Sequence, residues 1–122
     1  MAGLQPAAEV TLYNGSQSTT AVAIFDSGSV YTLFSPEHAQ LIGVEDVTTG
    51  SRAIVNTLTG SRDVYLFDLE IQLRGIGPRF AAQIGFFAGH VTRNLLGRNV
   101  IFAAFEIGFR ESAQRIHLRP ET

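Results

Sequence analysis

Cysteine and tryptophan are absent from the 122-residue chain, and methionine occurs once. Without cysteine the chain can hold no disulfide, no zinc-thiolate centre and no thiol nucleophile, which fits a reducing compartment. Charge is sparse as well: 16% of residues are charged, and nine basic residues stand against eleven acidic ones for a net charge of −2. The charges are scattered, so no basic stripe is offered to nucleic acid or to an anionic membrane surface. No stretch approaches the roughly 18 apolar residues of a membrane span, and residues 1–10 lack the basic start and long apolar run of a secretory signal. The expectation is a soluble cytoplasmic domain, or a soluble domain excised from a larger parent protein.

What is plentiful is apolar surface, at 45% of residues. This implies a well-buried globular chain with apolar area to spare for an interface. The length implies one domain over residues 1–122, large enough for a core but small for an enzyme holding a whole active site in one subunit.

One stretch organises the rest. Ala21-Val22-Ala23-Ile24-Phe25 is an apolar run that ends abruptly in Asp26-Ser27-Gly28-Ser29. The run reads as a buried strand delivering one acid to a tight turn, where burial disfavours the ionised form unless partners surround it. Gly28 suits a turn that needs positive φ or close backbone approach, and the hydroxyls of Ser27 and Ser29 suit local hydrogen bonds.

Around this stretch the pattern is mostly β. Residues 10–13 and 19–25 flank Asn14-Gly15, a strong hairpin turn, and residues 30–34 read as a further strand. Ser35-Pro36-Glu37 marks a helix start with Ser35 as N-cap, and Gly43 closes that helix after about two turns. Residues 52–56 and 62 onward flank Thr57-Leu58-Thr59-Gly60-Ser61, giving a long hairpin with an exposed tip. On its second arm Tyr65, Phe67, Leu69, Ile71 and Leu73 alternate with a mostly polar set, the clearest strand in the chain. After a turn at Gly75-Ile76-Gly77-Pro78, Phe80, Ala82, Ile84 and Phe86 continue the alternation. Val100, Ile101, Ala104 and Phe105 share a face of a short helix, and residues 105–118 alternate around Glu111-Ser112-Ala113-Gln114 as a terminal hairpin. The sum is seven to nine strands and two short helices.

Taken alone, Asp26-Ser27-Gly28 is also the signature of an Asx-type turn at a strand end. A racemase reading needs catalytic thiols, and phosphate-loop readings need a longer two-lobed chain with further glycine-rich loops. Ser27 or Ser29 as a nucleophile needs a nearby histidine that no local motif supplies. His38, His90 and His117 lack metal-ligand spacing and read as structural or solvent-facing, so no metal is expected. Asp63, Asp68 and Glu70 read as a solvated face, and Phe102 and Phe105 as core or interface.

An aspartic peptidase is the chemistry that gains from context. Two carboxylates held together share one proton and divide the roles of base and acid, which a single carboxylate cannot do. A chain with one such motif needs its second carboxylate from another copy, beside the first on a two-fold axis.

The order of apolar strand, Asp26-Ser27-Gly28-Ser29, strand, hairpin with a flexible tip, Leu95-Leu96-Gly97, Arg98-Asn99 and a short helix resembles the retropepsin-like aspartic proteases, the single-domain relatives of pepsin that include the retroviral enzymes. The resemblance covers the core of the domain, roughly residues 10–119, nearly the whole chain. It implies an all-β, pepsin-like closed barrel or sandwich with one or two short helices, working as an obligate homodimer on peptide or protein substrates without a cofactor. Asp26 would be the catalytic acid, Ser27 the tie between the two active-site loops, and Gly28 the backbone that approaches carboxylate and substrate. Leu95, Leu96 and Gly97 would support that loop. The hairpin over residues 52–64 would be a flap, with Ile54, Val55, Thr57, Leu58, Thr59 and Gly60 at or near its substrate side, and Val30 and Leu33 near the pockets. Retroviral members carry an acid where Val30 stands, pairing with the arginine that matches Arg98, so Arg98 has no assigned partner. The terminal hairpin would supply the dimer interface. A fold of this kind that dimerises or binds peptides with little turnover, and a β-barrel binding domain unrelated to proteases, are the readings from other classes.

Overall fold

The computed structural model describes residues 6–57 and 59–118, with residues 111 and 113–118 described through their backbone alone. Seven strands and two helices follow one another: β1 (Ala7–Asn14), β2 (Gln17–Phe25), β3 (Thr32–Phe34), α1 (Glu37–Leu41), β4 (Ser51–Thr57), β5 (Gly60–Leu73), β6 (Ile76–Phe87), β7 (Asn94–Leu96) and α2 (Arg98–Leu118). A 3-10 turn at Val47–Thr49, unanticipated in the sequence, starts where the Asp46 carboxylate accepts the Thr48 amide.

The strands run β1-β2-β7-β3-β6-β5 across one sheet, and β1 pairs again with β5, so six strands close into a barrel. The chain is thus mostly β, as its alternation implies. The alternating set of β5 is what closes it: Leu69, Ile71 and Leu73 are buried with Val10, Leu12, Phe34, Ile84, Phe86 and Leu96 in one core.

β5 is longer than the barrel needs. Its pairing with β6 ends at Val64 opposite Phe87, while its pairing with β4 continues out to Thr57 opposite Gly60. The outer part of the β4–β5 hairpin therefore stands beyond the barrel wall. Leu58, at its tip, lies outside the described residues.

Several expectations are corrected. The strand expected over residues 30–34 is only Thr32–Phe34, because Ser29 turns its carbonyl to the Arg98 amide instead of to a sheet neighbour. Ser35 does not cap α1: the N-cap is Pro36, and the Ser35 hydroxyl instead accepts the amide of Val91 from the loop before β7. The terminal hairpin is absent, since α2 continues unbroken through residues 105–118. Val100, Ile101 and Ala104 bury one face of this helix, and Gly108 approaches Ile76 so closely that a Cβ would lie 3.3 Å from Ile76 Cγ2. Phe105, expected on the buried face with them, is 57% exposed.

Candidate active site

The apolar run of β2 ends at Phe25 because it pairs in parallel with Leu96 of β7, and the next amide, that of Asp26, donates to the Leu96 carbonyl at 2.9 Å. That bond ends the ladder and turns Asp26 out of the barrel. Its carboxylate is only half-buried, less enclosed than the apolar run before it implies.

The loop after it is folded by its own polar atoms. Asp26 Oδ1 accepts the Gly28 amide at 3.0 Å, the Asp26 carbonyl accepts the Ser29 amide at 3.1 Å, and the Ser29 hydroxyl donates to the Tyr31 carbonyl at 2.6 Å. Gly28 does not adopt positive φ. The contact is close instead: a Cβ there would sit 3.2 Å from Asp26 Oδ1, which would have to give way by a few tenths of an ångström. Ser27 is exposed, and its hydroxyl has no hydrogen-bond partner among the described residues.

Leu95-Leu96-Gly97 packs next to this loop. A Cβ on Gly97 would fall 2.2 Å from the Tyr31 carbonyl oxygen and 2.9 Å from that of Ser29, so only glycine fits. The Gly97 amide donates to the buried Thr32 hydroxyl at 2.9 Å; that hydroxyl donates to Asn99 Oδ1 at 2.8 Å, and Asn99 Nδ2 donates to the Gln83 carbonyl at 2.9 Å. A chain of hydrogen bonds thus ties β3, β7, the start of α2 and β6 under the loop. Arg98 takes part through its amide, which donates to Ser29. Its side chain is exposed and pairs with no described residue, so Val30, itself 55% exposed, leaves the arginine without the acid that would match it.

The loop faces the β4–β5 hairpin across a cleft of about 480 Å³. Asp26, Gly28, Ser29, Leu33 and Leu95 line one side, Val55, Asn56 and Thr57 the other, and Phe87 completes the lining. An adjoining hollow of about 300 Å³ runs between Gly28, Val30 and Ile54. The structure therefore brings Asp26, Gly28, Ser29, Leu95, Ile54, Val55 and Thr57 together. Leu96 and Gly97 are buried beneath the loop, whereas Thr59 and Gly60 sit out at the hairpin end and do not line the cleft. Asn56, Phe87 and Thr32 were not singled out from the sequence as site residues. Thr32 carried a usable signal, a hydroxyl inside an apolar strand that must find a buried partner. The side of the hairpin that Asn56 shows depends on how the hairpin curls, and Phe87 reads as core.

Asp26 is the only ionisable side chain lining the cleft among the described residues. One carboxylate in a mostly apolar cleft can accept a proton or donate one, but it cannot do both in one step. Among the described residues no three His, Cys, Asp or Glu side chains are grouped to hold a metal ion. Asp63, expected to be solvated, is partly exposed and pairs with Arg52 on the hairpin at 3.0 Å. His90 is likewise exposed and bonds Glu37, while the side chain of His117 lies outside the description. None of the described helices is long and apolar enough to cross a membrane. No known family model matches the chain, and no curated protein matches it.

Proposed function

We propose that the chain is one half of an aspartic endopeptidase, completed when a second copy brings its own Asp26 beside the first. The observation that carries the reading is the single carboxylate of Asp26, held by the Gly28 amide at the mouth of a cleft and faced by a projecting hairpin. One ionised Asp26 takes a proton from water as the water oxygen bonds to the peptide carbonyl carbon, and the other, protonated, gives its proton to the carbonyl oxygen. As the C–N bond breaks, the now protonated Asp26 gives its proton to the departing amine while one hydroxyl of the tetrahedral intermediate returns a proton to the other Asp26, so an acid and an amine are released and the dyad again holds one proton. The hairpin carrying Val55 and Thr57 closes over the extended substrate and excludes water. The cleft offers apolar side chains, Leu33, Val55, Phe87 and Leu95, to the side chains of a peptide.

The test is digestion of denatured protein from acid to neutral pH, read by mass spectrometry, with wild type beside Asp26→Asn. Asp26→Asn is expected to stay folded and to lose cleavage. Full proteolysis by that variant would sink the mechanism, and a wild type that holds peptides without cutting them would favour the binding module instead.

A further inference from the structure

One line of α2 carries aromatic rings that the barrel leaves bare. Phe102, Phe105 and Phe109 are 65%, 57% and 76% exposed, on a different side of the helix from Val100, Ile101 and Ala104. Steps of three and then four residues keep a seam straight along a helix that packs against a second helix. A buried phenylalanine covers about 150–250 Å², so at these exposures the three rings together leave roughly 300–500 Å² facing water, the size of patch that on a monomer is often functional.

We propose that this seam docks a second copy of the chain, α2 against α2 and parallel, with Phe105 facing its counterpart. The inference rests on the peptidase reading, which requires two copies with their Asp26 loops adjacent. The seam is continuous with that loop: Arg98, one turn before Phe102, donates its amide to Ser29 at 2.9 Å. Beyond this junction the exposed Val30 and Ile54 carry apolar surface on to the hairpin. Glu106 and Arg110 pair with each other within the helix, so the seam is flanked by charge already matched.

Direction follows from geometry. At about 1.5 Å per residue, Arg98 lies roughly 10 Å from Phe105 along the axis. Antiparallel helices crossing at Phe105 would hold the two Arg98 ends, and the loops bonded to them, about 20 Å apart, too far to share a proton. Parallel helices keep them side by side. The seam on both copies supplies roughly 600–1,000 Å², short of the ~1,200–2,000 Å² of a stable interface, so the loop and hairpin surfaces must close together with it.

Because the chain has no cysteine, single substitutions report neighbours cleanly. Phe102→Cys and Phe109→Cys are each expected to give disulfide-linked dimers under mild oxidation at least ten times faster than Arg110→Cys, which lies off the seam. Equal rates at all three positions overturn the seam. Cross-links that form only when Phe102→Cys is mixed with Phe109→Cys overturn the parallel arrangement. Phe105→Glu is expected to shift sedimentation from dimer to monomer with an unchanged circular dichroism spectrum. If Phe105→Glu stays dimeric and still cleaves through Asp26, the seam falls and the peptidase reading stands. If the seam cross-links as expected while wild type shows no Asp26-dependent cleavage, the seam stands and the peptidase reading falls.

Discussion

The hydroxyl of Thr32 accepts the Gly97 amide at 2.9 Å, joining β3 to the residue between β7 and α2 at a point with no access to solvent. The same hydroxyl donates to Asn99, so both its donor and its acceptor capacity are used. Thr32→Val keeps the shape and removes both bonds, stranding a buried amide. A buried donor left without a partner costs about 1–3 kcal/mol. Urea denaturation is expected to show a loss in that range, and a smaller loss for Thr32→Ser, which keeps the hydroxyl. Unchanged stability of Thr32→Val would show that the network does not hold this junction.

Gly97 and Gly15 separate two reasons for glycine. Gly15 has φ +60° with nothing within 4 Å of a built Cβ, so Gly15→Ala meets only the left-handed backbone penalty of about 1–2 kcal/mol. Gly97→Ala drives a methyl to 2.2 Å from the Tyr31 carbonyl oxygen, which accepts the Ser29 hydroxyl of the Asp26 loop. The expected loss is at least about 3 kcal/mol, or failure to fold, and thermal melts of the two variants side by side measure the contrast.

The sequence made some of this legible and left the rest to tertiary contacts. β5 was readable because one face of it packs on a core and the other does not, which stamps a period of two on Tyr65 through Leu73. Asp26 stood out because an apolar strand ends on it. The region from Phe105 onward was misread because Phe105, Ile107 and Phe109 alternate like a strand while Val100, Ile101 and Ala104 recur like a helix. The packing of α2 on β6, with Gly108 against Ile76, is consistent with the helical period and has no local signature in the sequence. Thr32 and Asn99 lie far apart in the chain, so their bond under the loop could not be read from either segment.

Gly28 separates catalysis from stability. Its φ is not positive, so alanine is tolerated by the backbone, but a Cβ 3.2 Å from Asp26 Oδ1 forces the carboxylate to move by a few tenths of an ångström. The loop is exposed, which leaves room for that shift, so Gly28→Ala is expected to change stability by less than about 1 kcal/mol. On the proposed peptidase reading a displaced dyad loses far more, and peptide cleavage is expected to fall on the order of 10–100-fold. Unchanged cleavage rates, measured on the peptides that wild type cuts, would mean that the amide–carboxylate contact does not position the reacting group.

His38 gives the fold a defined response to acid. Asn94 Oδ1 accepts the Ser35 amide at 3.0 Å and Nδ2 donates to the Val22 carbonyl at 3.1 Å, which fixes the amide's orientation. Nδ2 therefore also points a proton at His38 Nε2, 3.3 Å away, and the neutral ring carries its own proton on Nδ1, which is buried without a partner among the described residues. Burial pushes the imidazole pKa down from 6.5, only partly offset by the Glu37 carboxylate. Below that ordinary value the unfolded chain takes up a proton that the folded chain resists, so the stability His38 contributes is complete above about pH 6.5 and declines as pH falls toward the lowered value. Glu37, held low by the Ser35 hydroxyl and His90, stays ionised through this window and loses its contribution only in more acid solution. The melting temperature of wild type is thus expected to fall more between pH 7 and pH 5 than that of His38→Phe, in which the other histidines are unchanged. Parallel pH curves for the two proteins would show that proton uptake at His38 does not loosen the clasp that Asn94 makes between β2, β7 and α1.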